Sequence, residues 1–393
     1  MHSTILNAAL AAALLCSAPH TTQAQIVLSG NENKIDLAAG EPLPVLDAAP
    51  DSISAIDFAE FPPRVQHLPG ISNSVIGPPS NIAITPDGTL ALIASSLQID
   101  RDAEDPLVPD HRIHLLDLTS DPPQRIGQVA AGKQPSGISI TSDGRLALVA
   151  NRAAGTVSVL RIRGQQVDHL NELTVGEPAD NVSDVAISPD DRLALVSVNT
   201  AGHLRVLAIE TGPDSERVVV TDRKLATYGG PYRTVITPDG ELGLTAGAGQ
   251  GAVPDTDALT VVDLTADPIR TIDYVPIGSG PESIEISPDG QLLAAVLMNG
   301  SNLPADAPGR TEAGLLVLLA RRGKTFDVVQ QEPIGRVPEG VAFTADGQYL
   351  LVQCHPAREI WVFRVDGDRA TDTEHRVKVP GMPSSLRAVP LHN

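Results

Sequence analysis

Six stretches of this chain repeat one pattern, and that repetition leaves few folds open. They read SNIAITPDGTLALIAS from Ser80, SGISITSDGRLALVAN from Ser136 and SDVAISPDDRLALVSV from Ser183. The others are YRTVITPDGELGLTAG from Tyr232, ESIEISPDGQLLAAVL from Glu282 and EGVAFTADGQYLLVQC from Glu339. Each is an apolar-alternating run, a tight turn at Asp-Gly or Asp-Asp, and a second apolar run. Alternation puts successive side chains on opposite faces of a strand, and a turn pair that tolerates positive φ joins two strands into a hairpin. The turn aspartates Asp87, Asp143, Asp190, Asp239, Asp289 and Asp346 recur at intervals of 47 to 57 residues.

That interval holds four short strands, and two more do follow each hairpin. After the first come HRIHLLDL and RIGQVAAG; after the second come TVSVLRI and DHLNELTVG. Four strands per unit at a period near 50 is the signature of propeller blades. A seventh unit is split. Pro383 to Val389 matches the start of an inner strand, while Gln25 to Lys34, Ser52 to Phe58 and Arg64 to Ile71 read as a second, third and fourth strand. The prediction is an all-β, seven-bladed β-propeller with four antiparallel strands per blade. It forms one domain over 25–393, its last blade built from about 25–78 plus 383–393 and so closed by both termini. Hydrophobic residues make up 42% of the chain and aromatic residues only 3%, so the core must be Val, Ile, Leu and Ala.

The first residues read as an export signal. Ile5 to Cys16 is an apolar run too short to span a bilayer, and Thr22-Gln23-Ala24 offers small residues for cleavage before Gln25. Residues 1–24 are therefore expected to be a signal peptide, and the mature protein periplasmic or secreted. Only Cys354 would then remain, so no internal disulfide is expected. The formal net charge of −20 repels nucleic acid and anionic membrane surfaces, and no other segment is long and apolar enough to cross a membrane. The expected partner is a small polar molecule or a periplasmic protein.

The fragment PSGISITSDGRLALVANRAAGTVSVLRI, from Pro135, resembles YVTN-type propeller repeats. The group includes lactonase-like propellers and the large subunit of methylamine dehydrogenase. No Trp-Asp pair occurs and Trp361 stands alone, so the repeat does not resemble the WD type. The resemblance implies the fold over nearly the whole mature chain and three kinds of role: a binding module, a lactonase-like hydrolase, or the propeller subunit of a periplasmic redox complex. Folds of this kind host many activities, so function must come from a site.

Loops between second and third strands lie on the face opposite the Asp-Gly hairpins. They run long in the first blade (Ser96 to Asp110), the fourth (Gly247 to Asp257) and the fifth (Asn299 to Glu312). Long loops in a compact fold point to function, which places a site at the channel mouth on that face. The inner strands begin there with Ser80, Ser136, Ser183, Tyr232, Glu282 and Glu339, followed by Asn81, Gly137, Asp184, Arg233, Ser283 and Gly340. Arg233 is a candidate to stabilise an oxyanion or a substrate carboxylate, and Glu282 or Glu339 a candidate general base, with His355 the second choice. Asn81, Asp184, Tyr232, Arg152 and Asn299 are candidates for ligand binding. The alternative is a solvated rim with a structural Arg–Glu pair. Glu285 and Arg387 are charged where other blades have small or apolar residues. Cys354 is read as core, and His111 and His114 as surface histidines. Asp100, Asp102, Glu104, Asp105 and Asp110 lack the glycine and terminal glutamate of an EF-hand, so calcium is disfavoured, and no cofactor is evident.

Overall fold

The computed structural model describes residues 25–389 apart from 39, 74–75, 212–215 and 250. The expected signal peptide lies outside the described residues. Each repeat is built around a serine or threonine two residues before the turn aspartate. In the first blade the Thr85 hydroxyl donates to Asp87 Oδ1 at 2.6 Å, and the same oxygen accepts Thr89 N–H at 3.1 Å. Leu90 N–H donates to the Thr85 hydroxyl, while Thr85 N–H donates to the Leu90 carbonyl. The hydroxyl thus substitutes for a main-chain carbonyl, and the loop is four residues long rather than two. The same serine or threonine to aspartate bond recurs at Thr141, Ser188, Thr237, Ser287 and Thr344. The residue after the aspartate takes the left-handed region, φ 68° at Gly88. In the third blade Asp191 adopts φ 55° there, a conformation aspartate tolerates, and its carboxylate accepts Ser142 N–H and the Ser142 hydroxyl of the preceding blade.

Seven four-stranded antiparallel sheets result. Six are consecutive along the chain, from Ile82–Ile84 to Arg369–Lys378. The seventh pairs the last strand, Met382–Ala388, with Ile26–Glu32, which continues to Ser52–Asp57 and Arg64–Pro69. The register sets Val27 opposite Ala388 and Glu32 opposite Met382, so the ring closes by an antiparallel ladder between the two ends of the described chain. The first-blade loop is shorter than the sequence suggests. Its strands run on as Leu90–Ile99 and Leu107–Asp117, and lift a two-stranded extension above the disc.

Seven apolar layers fill the seven gaps between blades. The layer between the fourth and fifth holds Leu244, Leu259, Val261, Leu293, Ala295 and Val317, all fully buried. The layer between the seventh and first holds Leu28, Ile53, Ile82 and Ile93. Every blade is thus held on both faces, and the aromatic-poor composition suffices because the layers are thin and filled by aliphatic side chains. Among the described residues no helix is long and apolar enough to cross a membrane.

Deleting residues 382–393 should leave Ile26–Glu32 with an unpaired inner edge and remove Leu386 from the layer against the sixth blade. The shortened chain is expected to lose its cooperative thermal transition in circular dichroism and to elute as aggregate in size-exclusion chromatography. A sharp, monomeric transition would contradict closure by that strand.

Candidate functional site

Six of the seven inner strands carry a β-bulge at their first residues, on the face opposite the turn aspartates. Pairing skips from Pro135 to Ile138, Val182 to Asp184, Pro231 to Thr234, Pro281 to Ser283 and Pro338 to Val341. In the seventh blade it skips Ser384. A bulge re-aims the extra residue, and here the extra positions include Ser136, Ser183, Tyr232, Glu282 and Glu339. This local geometry breaks the apolar alternation at the strand starts.

At the mouth, Arg152 stacks over the Tyr232 ring with its guanidinium carbon 5.8 Å from the centroid. Tyr232 and Glu282 are half-buried, and Glu339 is 3% exposed. Burial raises the Glu282 carboxyl to about 8, against the Arg152 charge and the Tyr232 hydroxyl, which favour the ionised form. Burial pushes Glu339 well above the usual carboxylate range, and the charges of Glu282 and Glu32 add to it. Burial and Glu282 likewise raise the Tyr232 phenol. The two neighbouring carboxyls therefore titrate as a pair that keeps a proton at neutral pH. Two buried polar atoms in this group, Glu339 Oε1 and Arg152 Nη1, have no hydrogen-bond partner among the described residues.

A strap covers part of the mouth. Residues 33–51 link the second and third strands of the split blade, with a short ladder of Ile35–Asp36 on Leu43–Pro44. Ile35 packs on Leu97 of the raised first-blade extension. Lys34 pairs with Asp51, and Arg101 donates to the Leu46 carbonyl at 2.7 Å. Leu37, Glu41 and Pro42 of the strap face Tyr232, Glu282 and Glu339 around a pocket of about 180 Å³. Tyr232, Glu282 and Met298 also line the adjoining open cleft of about 600 Å³, which extends to Asn199 and Ala248.

The structure separates the candidates into groups. Tyr232, Glu282, Glu339 and Arg152 come together at the mouth. Arg233 lies one residue deeper and is engaged: Nη1 is 3.2 Å from Asp184 Oδ2 and Nη2 is 3.0 Å from Glu285 Oε2. Asp184 is fully buried and also accepts Thr234 N–H and the Ser80 hydroxyl, each at 2.8 Å. A Cβ at Gly137 would collide with that carboxylate at 1.9 Å, which is why glycine stands there. Asn81, at the same level, is buried with both amide atoms unpartnered among the described residues. His355 is fully buried, its Nε2 3.1 Å from Glu32 Oε1. Asn299 ties down its own loop, its carbonyl accepting the Thr311 hydroxyl, and lines neither mouth pocket.

His114, read as a surface residue, is buried and bonded through Nε2 to the Ser72 hydroxyl at 2.8 Å; burial lowers it to about 4. The strand register, which sets it between Ile93 and Gln128, turns it inward. His111 is exposed. Cys354 is core, its thiol raised by burial to about 12. Asp110 pairs with Arg112, and among the described residues no three His, Cys, Asp or Glu side chains are placed to hold a metal. Sequence reasoning missed Glu32, Met298 and the strap. The interval between Glu32 and Ser52 was the available signal, since it is a second-to-third-strand connection longer than those singled out in other blades.

No known family matches the chain, and no curated protein does. Among solved structures, this seven-bladed propeller is similar to a Bacteroides fragilis protein assigned provisionally as a 6-phosphogluconolactonase. The two share 18% identity over 95% of this chain and 100% of that one, with a TM-score of 0.68. It is also similar to the periplasmic gluconolactonase of Pseudomonas aeruginosa, at 19% identity over 92% and 99%, TM-score 0.66. Hydrazine synthase of Kuenenia stuttgartiensis matches at 21% identity over 75% and 78%, TM-score 0.58. At these identities the likeness shows the fold alone.

Two outcomes follow from the channel electrostatics. Arg233→Ala leaves Asp184 and Glu285 without their main partner and should cost about 3–5 kcal/mol in urea denaturation. A loss below 1 kcal/mol would contradict the engaged role. Glu282 has its folded pKa raised from 4.5 to about 8, so the folded state binds more protons across that window. Its contribution to stability is fully present below pH 4.5 and is lost as pH rises through about 8. Glu282→Gln should therefore melt higher than the wild type at about pH 9, with the gap closing toward pH 4. Parallel melting curves across that range would contradict the assignment.

Proposed function

We propose that this protein binds a small, hydroxyl-rich polar molecule at the channel mouth, in the periplasm or outside the cell. The observation that carries the reading is the pair of orphaned atoms there, the Glu339 Oε1 acceptor and the Arg152 Nη1 donor. Buried polar atoms without partners are uncommon, and a ligand hydroxyl both donates and accepts. The protonated member of the Glu282–Glu339 pair adds a second donor, and Tyr232 supplies a flat apolar face. A pocket of about 180 Å³ opening on a larger cleft suits one sugar-sized ring. The apolar run near the N-terminus agrees with an exported chain.

A second reading, hydrolysis of a lactone, is favoured by the same carboxyl pair. A protonated carboxyl can give its proton to the ring oxygen as the acyl bond breaks. Its ionised partner can take a proton from the attacking water, so that one water adds across the ester bond to give a hydroxy acid. Arg152 is then the guanidinium nearest the reacting carbonyl, and Arg233, engaged deeper, would hold the wall. The gluconolactonase among the similar folds makes sugar lactones the first panel to try.

Calorimetric titration of residues 25–393 with sugar lactones and polyols, run beside a pH-stat, tests both. Saturable binding weakened about tenfold or more in Arg152→Met and Glu339→Gln is expected. Base consumption in addition, abolished by Glu282→Gln, would make the site hydrolytic. Binding unaffected by all three substitutions would refute the mouth as the site.

A further inference from the structure

The opposite end of the channel has a charge arrangement of its own. Glu285 and Arg387 stand at equivalent places on the fifth and seventh inner strands, where the other blades have Ala83, Ser139, Ala186, Val235 and Ala342. Glu285 Oε2 is 3.0 Å from Arg233 Nη2 and 3.6 Å from Arg387 Nη1. One carboxylate therefore faces two guanidiniums, and the closer one belongs to Arg233. Asp184, the other carboxylate of the cluster, is turned to Arg233 as well.

Arg387 is left underserved. The ion pair at 3.6 Å is its contact with a carboxylate, and its side chain makes no hydrogen bond to the described residues. A guanidinium has five N–H donors, and those of the part-exposed Arg387 are open to a ligand rather than tied to the protein. Burial and the Arg233 charge both pull its pKa down. About a third of the side chain stays exposed, 34%, and it lines a cavity of about 400 Å³ on the Asp-Gly face. The walls are mixed: Pro238, Pro288 and the edges of the buried Ile286, Phe343, Ala342 and Val389 stand beside Glu285, Ser287 and Thr344. The two hydroxyls there are engaged in their own turns, Ser287 with Asp289 at 2.5 Å and Thr344 with Asp346 at 2.7 Å. This cavity and the two mouth pockets have no lining residue in common.

The geometry points to a second binding site at Arg387, for a small monocarboxylate with an apolar body. A carboxylate fits the guanidinium fork through two parallel hydrogen bonds, and the remainder of the molecule lies on the Ile286–Phe343 wall. A doubly charged anion such as phosphate is disfavoured, because Glu285 lines the cavity and Asp289 and Asp346 follow within two residues of its lining. The site is independent of whatever occupies the mouth.

The test is titration of the whole chain with benzoate and with hexanoate, followed by calorimetry, with 1-hexanol and inorganic phosphate as controls. Both acids are expected to saturate, while hexanol and phosphate bind at least about tenfold more weakly. Arg387→Met should weaken the acids by about tenfold or more, and Arg152→Met, at the mouth, should leave them unchanged. Ala345→Phe narrows the cavity from its rim while keeping the guanidinium, and should also block the acids; it decides the matter if Arg387→Met fails to fold. Acid binding that survives both substitutions, hexanol binding as tightly as hexanoate, or a folded wild type that binds neither acid would overturn the site.

Discussion

The ladder between Met382–Ala388 and Ile26–Glu32 is the interaction on which the rest depends. A propeller has no central core, because each blade is stable only when apolar layers cover both its faces. Without closure the first and seventh blades would each expose one such layer, and the inner strands would not be forced into a ring. Closure also places Arg387 and Ser385 on the channel wall, and Glu32 beneath the mouth, so the same pairing that seals the disc completes both ends of the channel.

Down that channel the chemistry is layered by strand position. The bulged first residues supply the mouth with Tyr232, Glu282 and Glu339. The next position supplies Asn81, Asp184 and Arg233, with Gly137 and Gly340 making room: a Cβ at Gly340 would meet Gln353 Oε1 at 2.4 Å. Two residues further, Glu285 and Arg387 finish the wall toward the Asp-Gly face. In the middle layer Asp184 and Arg233 are tied to each other and to their neighbours, while Asn81 keeps both amide atoms unpartnered among the described residues. Arg233 is therefore a brace between Asp184 and Glu285, and the open cavities lie at the two ends.

The fold was legible because its signal is local and repeated. Each of the six hairpins carries its own Ser/Thr-x-Asp turn, and the six copies agree on one architecture. The mouth was legible in part: the loss of apolar alternation at Tyr232, Glu282 and Glu339 marked the bulged positions. Which of these polar residues meet was not legible, since contacts around a ring join residues some 50 to 300 apart, as with Glu32 and His355. His355 could be counted as a free base only until the split blade brought Glu32 against it. His114 looked exposed because its strand alternates weakly, and burial there depends on Ser72, from another blade. The strap escaped notice because it lies between segments recognised as strands rather than inside a repeat.

The central claim is that a mouth carboxyl holds a proton at neutral pH, giving the site a donor beside its acceptors. Infrared difference spectroscopy of the folded protein, titrated from pH 5 to pH 9, measures it directly. The account predicts a carboxylic-acid carbonyl band that persists at neutral pH, titrates near pH 8 and is reduced in Glu282→Gln. A spectrum in which every carboxyl is ionised by pH 6 would contradict it.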